Sequence, residues 1–180
     1  MRYTLKDYQA DAVADALNRL TQARDMFHRY GSLSQFSLAA TTGAGKTVMA
    51  AAVIEALFFG SDEFDMAPDP GAVVLWFSDD PSLNEQSRAR LQEAASELDS
   101  RLRVIETTFP EPSLRPGYVY FLNTQKLSKN SRLVRGEPNP APGQVRLFEP
   151  RPDEMQSSIY DVITNTVTIF EVLTDPADDT

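Results

Sequence analysis

Phe36-Ser37-Leu38-Ala39-Ala40-Thr41-Thr42-Gly43-Ala44-Gly45-Lys46-Thr47 is a short apolar run that breaks into a glycine-containing loop and then into a helical pattern. Gly43 and Gly45 can take backbone conformations closed to other residues, so the loop can wrap a phosphate with its N–H groups at a helix start, where the helix dipole also favours an anion. Lys46 would reach the β- and γ-phosphates of a nucleotide, and the Thr47 hydroxyl would ligate magnesium. The first glycine of the G-x-x-x-x-G-K-[ST] pattern is Ala40 here, while the GxGKT end is intact.

Such a loop needs a strand before it and a helix after it. Gln35 to Ala40, with Phe36 and Leu38 on one face and Gly31-Ser32 upstream, reads as the strand. Thr47 to Phe59 places Val48, Ala51, Ala52, Glu55, Ala56 and Phe59 at helical spacing before Gly60, a C-cap. A glycine turn that binds nothing would leave Lys46-Thr47 without a reason, so nucleotide binding is the working premise.

Of the 180 residues, 42% are apolar, 24% charged and 9% aromatic, which is ordinary globular composition. The formal charge of −9 argues against a surface that coats polyanions generally, although it leaves room for a local basic groove. No cysteine is present, which excludes disulfides and cysteine-ligated zinc, and the lone His28 falls in a helical pattern at a boundary or surface position. Met1 to Asp7 lacks the apolar core of a signal peptide, and Val48 to Phe59 is too short to cross a membrane and carries Glu55. A cytoplasmic protein with no membrane partner is expected.

Upstream of the loop, Thr4-Leu5-Lys6-Asp7 resembles a capping box, and Val13, Ala16, Leu17, Leu20 and Phe27 predict a long helix running to Gly31. Tyr8-Gln9 lies on its first turn. Downstream, Ser61 to Gly71 holds four acids and two prolines and reads as a surface connection. Ala72 to Phe77 is apolar without alternation, as suits a strand buried on both faces of a parallel sheet. Ser78 to Ser82 forms a turn and cap, Leu83 to Leu98 a helix, Arg103-Val104-Ile105 a short strand, and Tyr118 to Asn123 another buried strand. Thr124 to Arg132 is polar, with Lys126, Lys129, Arg132 and Arg135 at three-residue steps, and Gly136 to Pro152 is a proline-rich excursion. Ile159, Val162, Ile163, Thr166, Val167, Phe170 and Leu173 restore helical spacing over residues 153–174. The alternation predicts a doubly wound, mainly parallel α/β sheet.

Leu5-x-x-Tyr8-Gln9, the Ala40 to Thr47 loop, Val74 to Ser78 with Leu83-x-x-Gln86, and Phe121 to Leu127 together resemble the N-terminal motor domain of superfamily 2 helicases. The nearest resemblance is to the restriction subunit of type III restriction enzymes and its DEAD/DEAH-box relatives, which tolerate alanine at the Ala40 position. The resemblance implies a RecA-like P-loop NTPase using ATP and Mg2+, acting on DNA beside a methyltransferase (modification) subunit. By it, Gln9 reads adenine; Thr42, Gly43, Ala44, Gly45, Lys46 and Thr47 bind ATP; Lys46 is also catalytic, and Thr47 holds the metal. Ser82, Gln86, Asn123, Thr124, Gln125 and Lys126 fall where the family contacts the DNA backbone, though Asp79 and Asp80 lie beside Ser82 and would repel phosphate.

The family's acidic motif, which ligates magnesium and orients the attacking water, is expected on a strand and is not found on one: no Asp-Glu-x-His occurs, and the Asp-Glu-x-Asp at Asp62-Glu63-Phe64-Asp65 falls in the surface connection Ser61 to Gly71. The second motor domain and its arginine finger are missing too. Residues 1–180 are therefore expected to be a partial N-terminal domain, incomplete at the C-terminus, with an adenine-motif helix in 1–31, the loop and DNA motifs in 35–135, a proline-rich loop in 136–152 and a helix in 153–174. In such a fragment the loop strand should be poorly paired. Two other readings compete with the helicase one. A nucleotide-binding module without turnover, truncated or regulatory, fits the missing acids; a small P-loop kinase is disfavoured because no acceptor lid is evident and Tyr8-Gln9 would be unexplained.

Overall fold

The computed structural model describes residues 1–106, 109–128, 131–135, 158–166 and 169–173, with the backbone alone for Arg132, Arg135 and 169–173. Lys129, the excursion from Gly136 to Pro152, and residues 153–157, 167–168 and 174 of the expected segment 153–174 lie outside the described residues. The chain divides into two units. One comprises Met1–Pro70 and Gln86–Arg101, the other Gly71–Glu85 and the described residues from Leu102 onward.

In the first unit, helix α1 spans Asp7–Tyr30 and α2 spans Lys46–Phe59. Val13, Ala16 and Leu17 recur at three- and four-residue steps and form the buried stripe of α1. Val13 and Leu17 pack with Met49, Ala52 and Ala56 of α2 in one apolar cluster. Truncating a fully buried leucine such as Leu17 in a cluster of this kind costs about 2–5 kcal/mol. Ala51, Ile54, Leu57 and Phe58 are also buried, so α2 is an interior helix rather than an amphipathic one. The α1 cap differs from the sequence expectation: Thr4 is not the cap, and Gln9 Oε1 instead accepts the Lys6 N–H at 3.0 Å. At the far end Gly31 takes φ 65° and its N–H reaches the Phe27 carbonyl at 2.8 Å, the left-handed termination that glycine permits. The acidic connection after α2 is ordered by a Ser61–Met66 bridge and by Arg24, which pairs with Asp69 at 3.2 Å.

The expected strand Gln35 to Ala40 is not formed. Residues 31–40 carry no strand, and Leu33, Phe36 and Leu38 are 89%, 38% and 40% exposed. Alternating apolar residues supply strand propensity, but a strand exists only where a neighbour completes its ladder. The companion expectation, poor pairing of this segment, describes what is found among the described residues.

The second unit is built on a sheet of four parallel strands, β1 (Val73–Ser78), β2 (Leu102–Val104), β3 (Val119–Asn123) and β4 (Ile169–Leu173), in the order β2-β3-β1-β4. Register is fixed by pairs such as Trp76 with Phe121 and Ser78 with Asn123. Every residue of β1 and β3 is buried, as continuous apolar runs in a parallel sheet require. On one face Val73, Leu75, Phe77, Tyr120 and Leu122 pack with Ile105, Leu114, Leu133, Ile159 and Val162. Helix α3 (Pro81–Ala94) follows β1, its residues from Gln86 on belonging to the first unit, and after Ala95 a separate 3-10 segment, Ser96–Arg101, stands where the sequence predicts the helix running on to Leu98. A short α4 covers Arg132–Arg135.

The expected helix over 153–174 is a different structure. Residues 153–157 lie outside the described residues, and the helix found, α5 (Ile159–Thr164), is capped by Ser158 through a capping box with Asp161. Ile169–Leu173 instead form β4, pairing with β1 from Val73↔Ile169 to Phe77↔Leu173. Ile169 and Val172 are β-branched, and beside β1 their strand preference prevails over the three- and four-residue apolar spacing.

Candidate functional site

The phosphate-loop residues lie in the first unit, at the N-terminus of the fourteen-residue helix α2. Gly43 and Gly45 both adopt left-handed backbone, φ 80° and 84°, and the Ala44 N–H bonds the Thr41 carbonyl at 3.1 Å, closing a tight turn. Gly45 is the N-cap of α2, and Lys46 and Thr47 are its first residues, so their backbone donors belong to the positive end of the helix dipole. Lys46 Nζ bends back to donate to the Ala40 carbonyl at 3.1 Å. The Ala40 position that departs from the usual glycine thus faces Lys46 through its backbone.

Gln9 is brought to this loop. It is 8% exposed, and its Nε2 donates to the Ala44 carbonyl at 2.8 Å while its Oε1 takes the Lys6 N–H. The amide keeps one hydrogen on Nε2 and one lone pair on Oε1 for another partner, one donor and one acceptor, which is what the edge of adenine requires. Tyr8 was not among the sequence-derived candidates; its hydroxyl donates to the same Ala44 carbonyl at 3.1 Å. Nothing in the local sequence pattern signals this, because residues 8 and 44 are joined only by the fold. A methyl group on Gly45 would sit 2.5 Å from Gln9 Nε2, so alanine there would displace the end of the Gln9 side chain as well as strain φ.

The residues expected to meet DNA fall at the C-terminal ends of β1 and β3 in the second unit, apart from Gln86, which is exposed on the second turn of α3. Ser82 opens α3, and both its N–H and its hydroxyl donate to Asp80 Oδ1, at 2.7 and 2.8 Å. Those bonds, the backbone one foremost, hold the Asp80 carboxyl below its ordinary pKa. The turn is tied further by Ser78 Oγ, 2.7 Å from Asn84 Oδ1 and 2.9 Å from the Asp80 carbonyl.

Asn123 is 2% exposed and caps the 3-10 segment Thr124–Leu127 by accepting the Gln125 N–H at 2.8 Å. Its side chain would have to leave that cap to reach a phosphate. Thr124 Oγ1 donates to Asp79 Oδ1 at 2.5 Å, and Gln125 Nε2 to the Asp79 carbonyl at 3.0 Å. Lys126 Nζ donates to the Ile105 carbonyl at 2.9 Å and to Glu106 Oε2 at 3.2 Å. Glu106 has no sequence signal for this role. Among the described residues no group of three or more His, Cys, Asp or Glu side chains is placed to hold a metal ion, and no helix is long and apolar enough to cross a membrane.

A family model described as type III restriction enzyme, res subunit, matches residues 2–161. The chain belongs to this family. Res-subunit domains are N-terminal domains of superfamily 2 helicases, so the small parallel sheet and the glycine loop before α2 sit in a helicase-like, ATP-binding motor family whose full-length members act on DNA. Comparison with curated proteins and with solved structures gave no match.

Proposed function

We propose that this res-subunit domain is the ATP-binding N-terminal portion of a DNA helicase or translocase of a restriction-modification system, with a RecA-like, doubly wound architecture in the complete motor. The observation that supports it best is the bond from Gln9 to Ala44, which sets a side-chain amide beside the glycine loop. Gly43, Ala44, Gly45 and Lys46 would hold the triphosphate with backbone N–H groups and one ammonium, with Thr42 at the mouth of the loop. The donor set fits magnesium in part. Thr47 offers one hydroxyl, and Mg2+ usually takes its other positions from phosphate and water. When bound, the ion neutralises charge on the phosphates.

In this reading Thr124, Gln125 and Lys126 meet DNA phosphates, Asn123 positions them as their cap, and Ser82 meets phosphate from the start of α3; Gln86, in the first unit, is a backbone contact of its own. Hydroxyls, amides and ammonium groups are the side chains that bind DNA backbone without reading sequence. A methyltransferase subunit is the partner and the cytoplasm the compartment.

One observation favours a second reading, a nucleotide-binding module without turnover: no Asp-Glu-x-His occurs in the 180 residues, and the Asp-Glu-x-Asp at Asp62-Glu63-Phe64-Asp65 lies in the turn after α2 rather than at the end of a sheet strand, where such acids orient water. The base-reading claim is tested by calorimetry. Gln9→Ala should bring the ATP and GTP affinities together, and an ATP-to-GTP ratio left where it was would remove Gln9 from base recognition.

A further inference from the structure

Two kinds of acceptor hold the donors that follow β3. Gln125 Nε2 and Lys126 Nζ are anchored on backbone carbonyls, those of Asp79 and Ile105. Thr124 Oγ1 and the same Lys126 Nζ are also engaged by carboxylates, those of Asp79 and Glu106. The carbonyls belong to the ends of β1 and β2 and move only with the sheet. The carboxylates are on exposed side chains, Glu106 at 73%, and an exposed ion pair is weak and exchangeable.

A carboxylate and a phosphodiester offer the same things to a hydroxyl or an ammonium: a full negative charge and acceptor oxygens. We propose that Asp79 and Glu106 are internal competitors for DNA, each holding a donor that a backbone phosphate would otherwise take, so that binding proceeds by exchange of carboxylate for phosphate on Thr124 and Lys126. This rests on the DNA reading of residues 124–126 and adds regulation to it. The exchange conserves the number of charge-assisted bonds, and the displaced carboxylates then face phosphate. Affinity is held down while the segment stays in its binding shape, because the carbonyl anchors of Gln125 and Lys126 are untouched. Only a partner presenting two or more closely spaced phosphates recovers the loss, which favours a polynucleotide over free phosphate.

The test is fluorescence anisotropy of labelled single- and double-stranded DNA oligonucleotides with the full 180-residue chain, folding being checked by circular dichroism. Asp79→Asn and Glu106→Gln should each tighten binding about threefold to tenfold, since each removes a competing charge and keeps the side chain's shape. Asp11→Asn, an exposed acid of α1, controls for the loss of one negative charge anywhere. The gain from Asp79→Asn should shrink to that control in a Thr124→Val background, and the gain from Glu106→Gln in a Lys126→Met background. Binding that appears only in Asp79→Asn or Glu106→Gln supports the proposal equally. If Thr124→Val and Lys126→Met weaken DNA binding while Asp79→Asn and Glu106→Gln do no more than Asp11→Asn, the DNA reading stands and the competition is overturned. If no variant binds either DNA at low salt, both are overturned.

Discussion

Gln9 Nε2 lies 2.8 Å from the Ala44 carbonyl and 2.5 Å from where a methyl group on Gly45 would stand. The first turn of α1 and the glycine loop before α2 are thus fitted to each other at one amide group. Gly45 serves that fit twice, by its left-handed φ of 84° and by its missing side chain.

Gly45→Ala should therefore do more than Gly43→Ala. Both place alanine in left-handed backbone, which costs about 1–2 kcal/mol, but a methyl at Gly43 meets nothing within 4 Å. At Gly45 it must push Gln9 off Ala44. Thermal melts should show comparable destabilisation for the two variants, while Gly45→Ala alone loses the preference for ATP over GTP. Equal nucleotide preference in both would show that the close approach has no consequence for the base.

The start of α3 carries a pH dependence. Asp80 is held below its ordinary pKa of 3.8 by the N–H and hydroxyl of Ser82. A carboxylate whose pKa is lower folded than unfolded stabilises the fold above its unfolded pKa, and that contribution is lost as pH falls through the folded value. The cap should therefore hold at neutral pH and weaken in acid below about 3.8. Carboxyl chemical shifts should show Asp80 titrating below the ordinary value and Ser82→Ala moving it upward; an unmoved midpoint would remove Ser82 as the cause.

How much of this was readable in the sequence varied with how local the determinant was. β1 and β3 announced themselves as unbroken apolar runs, and Gly31 and Gly60 bracketed α1 and α2 correctly, because each signal lies within the element it specifies. The run from Ile159 to Leu173 misled because its apolar spacing suits a helix while its β-branched residues suit a strand, and the pairing with β1 that decides between them lies about ninety residues away. Gln35 to Ala40 has a strand's alternation, but a ladder depends on its partner. For the candidate site, loop spacing marked Gly43 to Thr47, while Gln9 was marked only by the family resemblance. Tyr8 on Ala44 and Asp79 on Thr124 are long-range contacts, and no pattern along the chain signals them.

Turnover should be negligible in the 180-residue chain, with or without DNA. Phosphoryl transfer depends on positioned charge at the γ-phosphate and on an oriented water, and the loop supplies only the first. Phosphate release should match that of Lys46→Ala; turnover on the order of one per second would mean that residues within this chain orient the water.

The central claim is that the loop before α2 binds ATP through Lys46, and titration calorimetry of Mg-ATP into the folded chain and into folded Lys46→Ala tests it most directly. Removing the ammonium deletes a charge-assisted contact to phosphate and should weaken binding by at least about tenfold. An affinity for ATP that is the same in both proteins would contradict the account.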